Sequence, residues 1–139
     1  LGGEGALTRE RKKSLERLVA VKTQLRQIEE ARLAELEKRC AEARQDRDAM
    51  IGFLDRAEAN DGLLLRLACK RVAAAERGAA TLDAQTVEQR QILLQRGAQT
   101  RSAENLLKAA SAALAREEEK RALLDIAERL AGRRPTSLP

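Results

Sequence analysis

Residues 60–72 read Asn60-Asp61-Gly62-Leu63-Leu64-Leu65-Arg66-Leu67-Ala68-Cys69-Lys70-Arg71-Val72. Asn and Gly accept left-handed backbone angles, and Asp favours local turns, so residues 60–62 signal a reversal of the chain. Immediately afterwards Leu65, Ala68 and Val72 step by three and four, the spacing of one helix face. That spacing continues without a break. One set of positions is Leu65, Val72, Ala79, Thr86, Leu93, Thr100, Leu107 and Leu114. The other is Ala68, Ala75, Leu82, Gln89, Arg96, Ala103, Ala110, Glu117 and Leu124. Thr86, Gln89, Arg96 and Thr100 make the stretch 86–100 the weak part of this seam, which should be looser or should meet something polar.

Before the turn the pattern is also helical. Leu18, Val21, Leu25 and Ile28 step by three, four and three, and Leu36, Cys40, Ala43, Arg47, Met50, Leu54 and Ala57 resume that alternation. Between Leu25 and Leu36 lies an eleven-residue step, which locally relaxes a left-handed supercoil. Both prolines, Pro135 and Pro139, lie at the end of the chain, so nothing before them breaks a helix in the manner of proline. The expected fold is all-α: a long antiparallel two-helix coiled-coil hairpin with its turn near residues 60–62. Its helices would run from about 7 to 59 (roughly 80 Å) and about 63 to 133 (roughly 105 Å). Residues 1–6, with Gly2-Gly3-Glu4-Gly5, are expected to be a flexible tail, 7–134 a single hairpin and 135–139 a disordered tail.

Composition agrees. Ala, Leu, Arg, Glu and Lys make 91 of the 139 residues, whereas Val and Ile total 8 and Phe53 is the single aromatic. Such a chain suits long helices and excludes a sheet protein. Stability must come chiefly from seam leucines, helped by i, i+4 pairs such as Glu35 with Arg39, Glu117 with Arg121 and Asp125 with Arg129.

Folding back at the turn pairs residue i with a residue at about 122 − i. The first helix then runs out opposite residue 115, and the last turns overhang. There Leu123, Leu124, Ile126, Ala127 and Leu130 form an apolar stripe without a partner. Cys40 and Cys69 would lie roughly 20 Å apart along the axis. A disulfide needs Cα atoms within about 7 Å, so both thiols are expected to be free.

The residue types exclude much chemistry. With no His, Trp or Tyr, there are no His triads, His metal ligands or aromatic stacking platforms for single strands. Glu117-Glu118-Glu119 lies on consecutive helix positions that do not share a face. No catalytic, cofactor or metal site is expected, and the chain reads as no enzyme. The net charge is +5, all of it in residues 62–139. A basic surface suits nucleic acid, anionic lipid or an acidic protein. A sequence-specific DNA zipper needs a denser basic block than Arg9–Arg17, and a membrane-surface helix needs bulkier anchors. No apolar run approaches a membrane span. For any single cluster the plain reading is a solvated, salt-bridge-laced helix face, and the alternative is a contact with an acidic protein. The candidate contacts are Arg9, Arg11, Lys12, Lys13, Arg129, Arg133 and Arg134 at the open end. Near the turn they are Arg66, Lys70 and Arg71, with Phe53 as an apolar contact.

Three features together resemble the FliJ/YscO family, the small coiled-coil stalk proteins of flagellar and virulence type III export machines. They are the opening Arg9-Glu10-Arg11-Lys12-Lys13-Ser14-Leu15-Glu16-Arg17-Leu18, the central turn, and the ending Leu124-Asp125-Ile126-Ala127-Glu128-Arg129-Leu130-Ala131-Gly132-Arg133-Arg134. The resemblance implies a cytoplasmic bacterial protein, peripheral to an inner-membrane export apparatus and monomeric on its own. It implies that the open end sits in the pore of a hexameric export ATPase and promotes its assembly and activity. It also implies contact with a membrane export gate and the cycling of export chaperones. The competing expectation is a free-standing adaptor or chaperone that pairs through the stripe at 123–130.

Overall fold

The structure, a computed structural model, describes residues 2–56 and 62–133. The chain is all-α, with two long helices packed against each other as a hairpin. The first, α1, spans Gly2–Arg56 and the second, α2, spans Gly62–Gly132. Residues 57–61, which carry Asn60 and Asp61 of the expected turn, lie outside the described residues, as do Arg134 and the tail at 135–139. Gly62 opens α2. The last turn of α2 closes with the Arg133 amide donating to the Arg129 carbonyl at 3.1 Å and to that of Leu130 at 3.3 Å.

The helices form two compact units. One joins the residues up to Thr23 with those from Ala98 onward; the other runs from Gln24 to Gly97. In the first, the Lys22 ammonium donates to Gln99 Oε1 at 3.4 Å, and the Thr100 hydroxyl donates to the Lys22 carbonyl at 3.4 Å. In the second, Cys40 meets Thr86, Arg44 pairs with Asp83, Arg90 with Glu37 and Gln89 with Glu29. In the second unit the α2 partners fall from Arg90 to Thr86 to Asp83 as α1 rises from Glu37 to Cys40 to Arg44, and in the first Arg121 lies against Gly5 and Thr100 against Lys22, all within about five residues of the 122 − i rule. The helices are therefore antiparallel.

Every expected seam position of α2 from Leu65 to Glu117 is buried or half-buried. Ala79, Ala103, Ala110 and Leu114 are among the most enclosed. Ala at these positions buries little area but lets helix axes approach closely. The seam of α1 is the expected one from Leu36 to Leu54 and differs before Leu36. Thr23, Leu25 and Gly52 are half-buried at its flanks, and the continuous run of withdrawn positions is Gly5, Thr8, Lys12, Leu15, Val19, Lys22, Arg26, Glu29, Leu33, Leu36, Cys40, Ala43, Arg47, Met50 and Leu54. They alternate by three and four from end to end, so the eleven-residue step does not occur. Leu18, Val21 and Ile28 are exposed.

The reason lies in the facing helix. The weak section of α2 presents polar groups, and the residues that meet it on α1 are polar too. In the first unit Thr100, fully buried, uses the backbone of Lys22 as its acceptor. In the second, Gln89 donates to the Glu29 carbonyl at 3.1 Å and also to its carboxylate, which Arg32 Nη1 approaches at 3.1 Å. Thr86 donates to the Leu82 carbonyl at 2.8 Å and lies 3.3 Å from Cys40 Sγ. An apolar stripe turned toward Gln89 would deprive its buried amide of the Glu29 carboxylate, at roughly 1–3 kcal/mol. Long Lys and Arg side chains can line a seam by burying their stems while the charge reaches water.

The expected tail at 1–6 is helical from Gly2, because α1 finds a packing partner there. Gly5 is buried, and a Cβ at that position would overlap the Arg121 guanidinium. The lack of a side chain thus lets Arg121 lie across α1. With α1 starting five residues earlier than expected, the seam reaches Arg121 instead of ending near 115. Leu124, expected on the seam, is exposed, and so is every residue from Ala122 to Arg133.

The end of the seam can be located by unfolding in urea. Leu114→Ala, at a site 8% exposed, should cost about 2–4 kcal/mol. Leu124→Ala, at a site 63% exposed, should change stability by less than about 0.5 kcal/mol. The polar layer gives a second expectation. Gln89→Leu should destabilise by about 1–3 kcal/mol, since it removes a partner from the buried Glu29 carboxylate. The double change Glu29→Leu with Gln89→Leu should recover most of that loss. Additive losses in a double-mutant cycle would show that the two side chains are not coupled.

Candidate interaction surfaces

Three surfaces carry the sequence-nominated residues. The first is the open end, within the unit formed by the two terminal segments. Arg9, Arg11 and Lys13 on α1 and Arg129 and Arg133 on α2 are exposed. Lys12 is half-buried, because it occupies a seam position, and its charge is correspondingly less available than those of its neighbours. Arg134 lies outside the described residues. Both helices therefore place cations on this unit, one set from the start of the chain and one from its end.

The second surface is the last stretch of α2. Leu123, Leu124, Ile126 and Leu130 are each more than half exposed, and Ala127 lies open beside them. They recur at helical spacing on a segment that α1 does not cover. Within their own unit nothing among the described residues shields them.

The third surface joins the end of α1 to the start of α2. Phe53 and Arg71, far apart in sequence, line one groove of about 570 Å³ together with Asp46, Ala49, Met50, Leu64, Leu67 and Ala68. Arg66 and Lys70 line a neighbouring depression with Leu63, Leu65, Leu67 and Cys69. The fold thus gathers Phe53 with Arg71, and Arg66 with Lys70, on adjoining surfaces that share Leu67. Leucines 63, 64 and 67 and Met50 were not nominated from sequence. The available signal was the run Leu63-Leu64-Leu65-Arg66-Leu67: only Leu65 belongs to the seam, so three leucines are left for other uses.

Elsewhere the charged faces are ordinary. Arg44 with Asp83 at 3.0 Å and Arg90 with Glu37 at 3.5 Å bridge the helices. Arg26 with Glu30 and Arg39 with Glu35, at 3.4 and 3.3 Å, are i, i+4 pairs, the latter an expected one. All are exposed enough that each contributes at most about 1 kcal/mol. Among the described residues no cluster of His, Cys, Asp or Glu has the makings of a metal site. Nor is any helix among the described residues long and apolar enough to cross a membrane.

The thiols are free and differ sharply in environment: Cys40 is buried in the seam against Thr86, and Cys69 is exposed beside Lys70. Native-state alkylation followed by mass spectrometry should modify Cys69 rapidly, with Cys40 reacting only as the helices open. Equal rates at the two sites would contradict the Cys40 packing.

No family model, curated protein or solved structure matches this chain.

Proposed function

We propose that the chain is a non-enzymatic stalk of a type III export apparatus. In this reading the open-end unit enters a hexameric export ATPase and promotes its assembly and activity. The surface near the turn meets the export gate, and export chaperones cycle on the assembled stalk. One observation carries most of the weight: the final stretch of α2, from Ala122 to Arg133, is a helix with an apolar stripe that its own hairpin leaves uncovered. A helix destined for a protein pore needs such a face, because the pore wall completes its burial. The cations Arg9, Arg11, Lys13, Arg129 and Arg133 around that end supply complementarity to an acidic lining. The family resemblance of the opening and closing segments supplies the identity of the ring.

A second reading rests on the same leucines. A free-standing adaptor or chaperone would use Leu123, Leu124, Ile126, Ala127 and Leu130 to pair with a helix of its client or of a second copy. The two differ in their dependence on the ring. A stalk is monomeric alone and acts on ATP hydrolysis, whereas an adaptor pairs at micromolar concentration without any ATPase.

The deciding measurement is steady-state ATP hydrolysis by a type III export ATPase, with and without stoichiometric chain. Stimulation is expected from the wild-type protein. Reversal of Arg9, Arg11, Lys13, Arg129 and Arg133 to Glu should abolish it while circular dichroism shows unchanged helicity. Lys12 is left intact because it belongs to the seam. Full stimulation by the reversed variant would remove the proposed docking surface. No stimulation by the wild type, together with self- or client pairing, would favour the adaptor.

A further inference from the structure

The groove near the turn has three physical attributes that single out one kind of occupant. It is apolar: Met50, Phe53, Leu64 and Leu67 contribute to its wall, and Phe53 remains 57% exposed. It is short. Its walls run from Asp46 to Phe53 on α1 and from Leu64 to Arg71 on α2, about two helical turns or roughly 10 Å. It is bordered by cations, with Arg71 in the groove and Arg66 and Lys70 on the depression that shares Leu67.

The cations are not committed elsewhere. From Gly62 to Ala75, α2 carries Arg66, Lys70 and Arg71 and no acidic residue. Among the described residues none of the three joins an ion pair. The acid that lines the groove is Asp46, on the opposite wall. The walls are two helices whose backbone groups are bonded internally, so an occupant gains affinity from side chains and not from strand addition.

We propose that this groove is a docking site for an acidic amphipathic helix of a partner protein. Two turns of that helix would place apolar residues at i, i+3 or i+4, and i+7 against Phe53, Leu64 and Leu67. Its flanking Asp or Glu side chains would face Arg71 and Lys70. The mode is helix-in-groove recognition, with apolar anchors supplying affinity and charge selecting the partner. A concave groove between two helices fits a rod better than the plane of a bilayer. The inference gives chemistry to the turn-side contact of the stalk reading. It requires only that the groove be open, so it stands or falls apart from any ATPase.

The test uses the full chain and two fluorescein-labelled synthetic helical peptides. Both carry Leu at the three-four spacing; one has Glu at the flanking positions and the other Lys. Fluorescence anisotropy should show binding of the acidic peptide, weakening as salt is raised. Phe53→Ala and Leu67→Ala should each weaken it by about tenfold. Lys70→Glu with Arg71→Glu should abolish it and allow the basic peptide to bind. Arg101→Glu with Lys108→Glu, exposed on α2 and outside every proposed surface, should leave it unchanged. Circular dichroism of every variant controls for folding, since these side chains lie outside the seam.

Equal binding of the two peptides, no binding of either, or binding indifferent to Phe53 and Leu67 would overturn the proposal. A sedimentation assay with phosphatidylserine–phosphatidylcholine vesicles provides the remaining contrast. Vesicle binding lost on the same substitutions, in the absence of acidic-peptide binding, would assign the surface to lipid instead. Failure here with intact ATPase stimulation would remove the groove and keep the stalk; the reverse result would keep the groove and remove the stalk.

Discussion

Two helices in a hairpin can bury only one stripe each, and both stripes must repeat at the same three-four spacing. This constraint governs the molecule. Along α2 the repeat delivers Ala, Leu and a few polar residues to the interface, and along α1 it delivers Lys, Arg and Glu as well. The resulting interior is a narrow line and not a compact core. Small residues such as Ala79, Ala103 and Ala110 sit at its most enclosed positions. Close backbone approach compensates in part for the little area each of them buries.

The polar section of that line sets which face of α1 turns inward. Thr100 donates its hydrogen bond to the Lys22 carbonyl, and Gln89 donates to Glu29. Satisfying these groups outweighs burying Leu18, Val21 and Ile28, which are consequently left facing water. Surface composition follows from this choice. Apolar side chains that the seam cannot accommodate are displaced outward, at 18–28, around the groove at Phe53, and along the end of α2.

Legibility in the sequence varied along the chain for identifiable reasons. The seam of α2 could be read directly because Leu and Ala recur on it from Leu65 to Leu114, and the polar residues between them only interrupt that run. So could the seam of α1 from Leu36 to Leu54; before Leu36 it could not, because Leu18, Val21, Leu25 and Ile28 make a cleaner apolar pattern than the run of Val19, Lys22, Arg26 and Glu29 that lies inward. Choosing the apolar face was sound for a helix alone and fails for one that must meet Gln89 and Thr100. The start of α1 was misread for a related reason. Three early glycines look like a tail until Arg121 is seen lying against Gly5. Of the interaction surfaces, the stripe at 123–130 was evident from spacing. The groove was not, since it brings Phe53 and Met50 of one helix beside Leu64 and Arg71 of the other.

By itself the sequence determined the all-α class, the division into two helices about the segment near 60–62, and the inward face of α2. These depend on propensity, on local turn chemistry and on a repeat that needs no knowledge of its partner. Only the tertiary structure decided the inward face of α1 before Leu36, the helical state of residues 2–6 and the point at which the seam gives out. Each depends on pairing across the hairpin, where a buried hydroxyl or amide must find an acceptor and a glycine must find the arginine that covers it. Periodicity along one helix reports where apolar side chains recur; it does not report which polar groups the facing helix will demand.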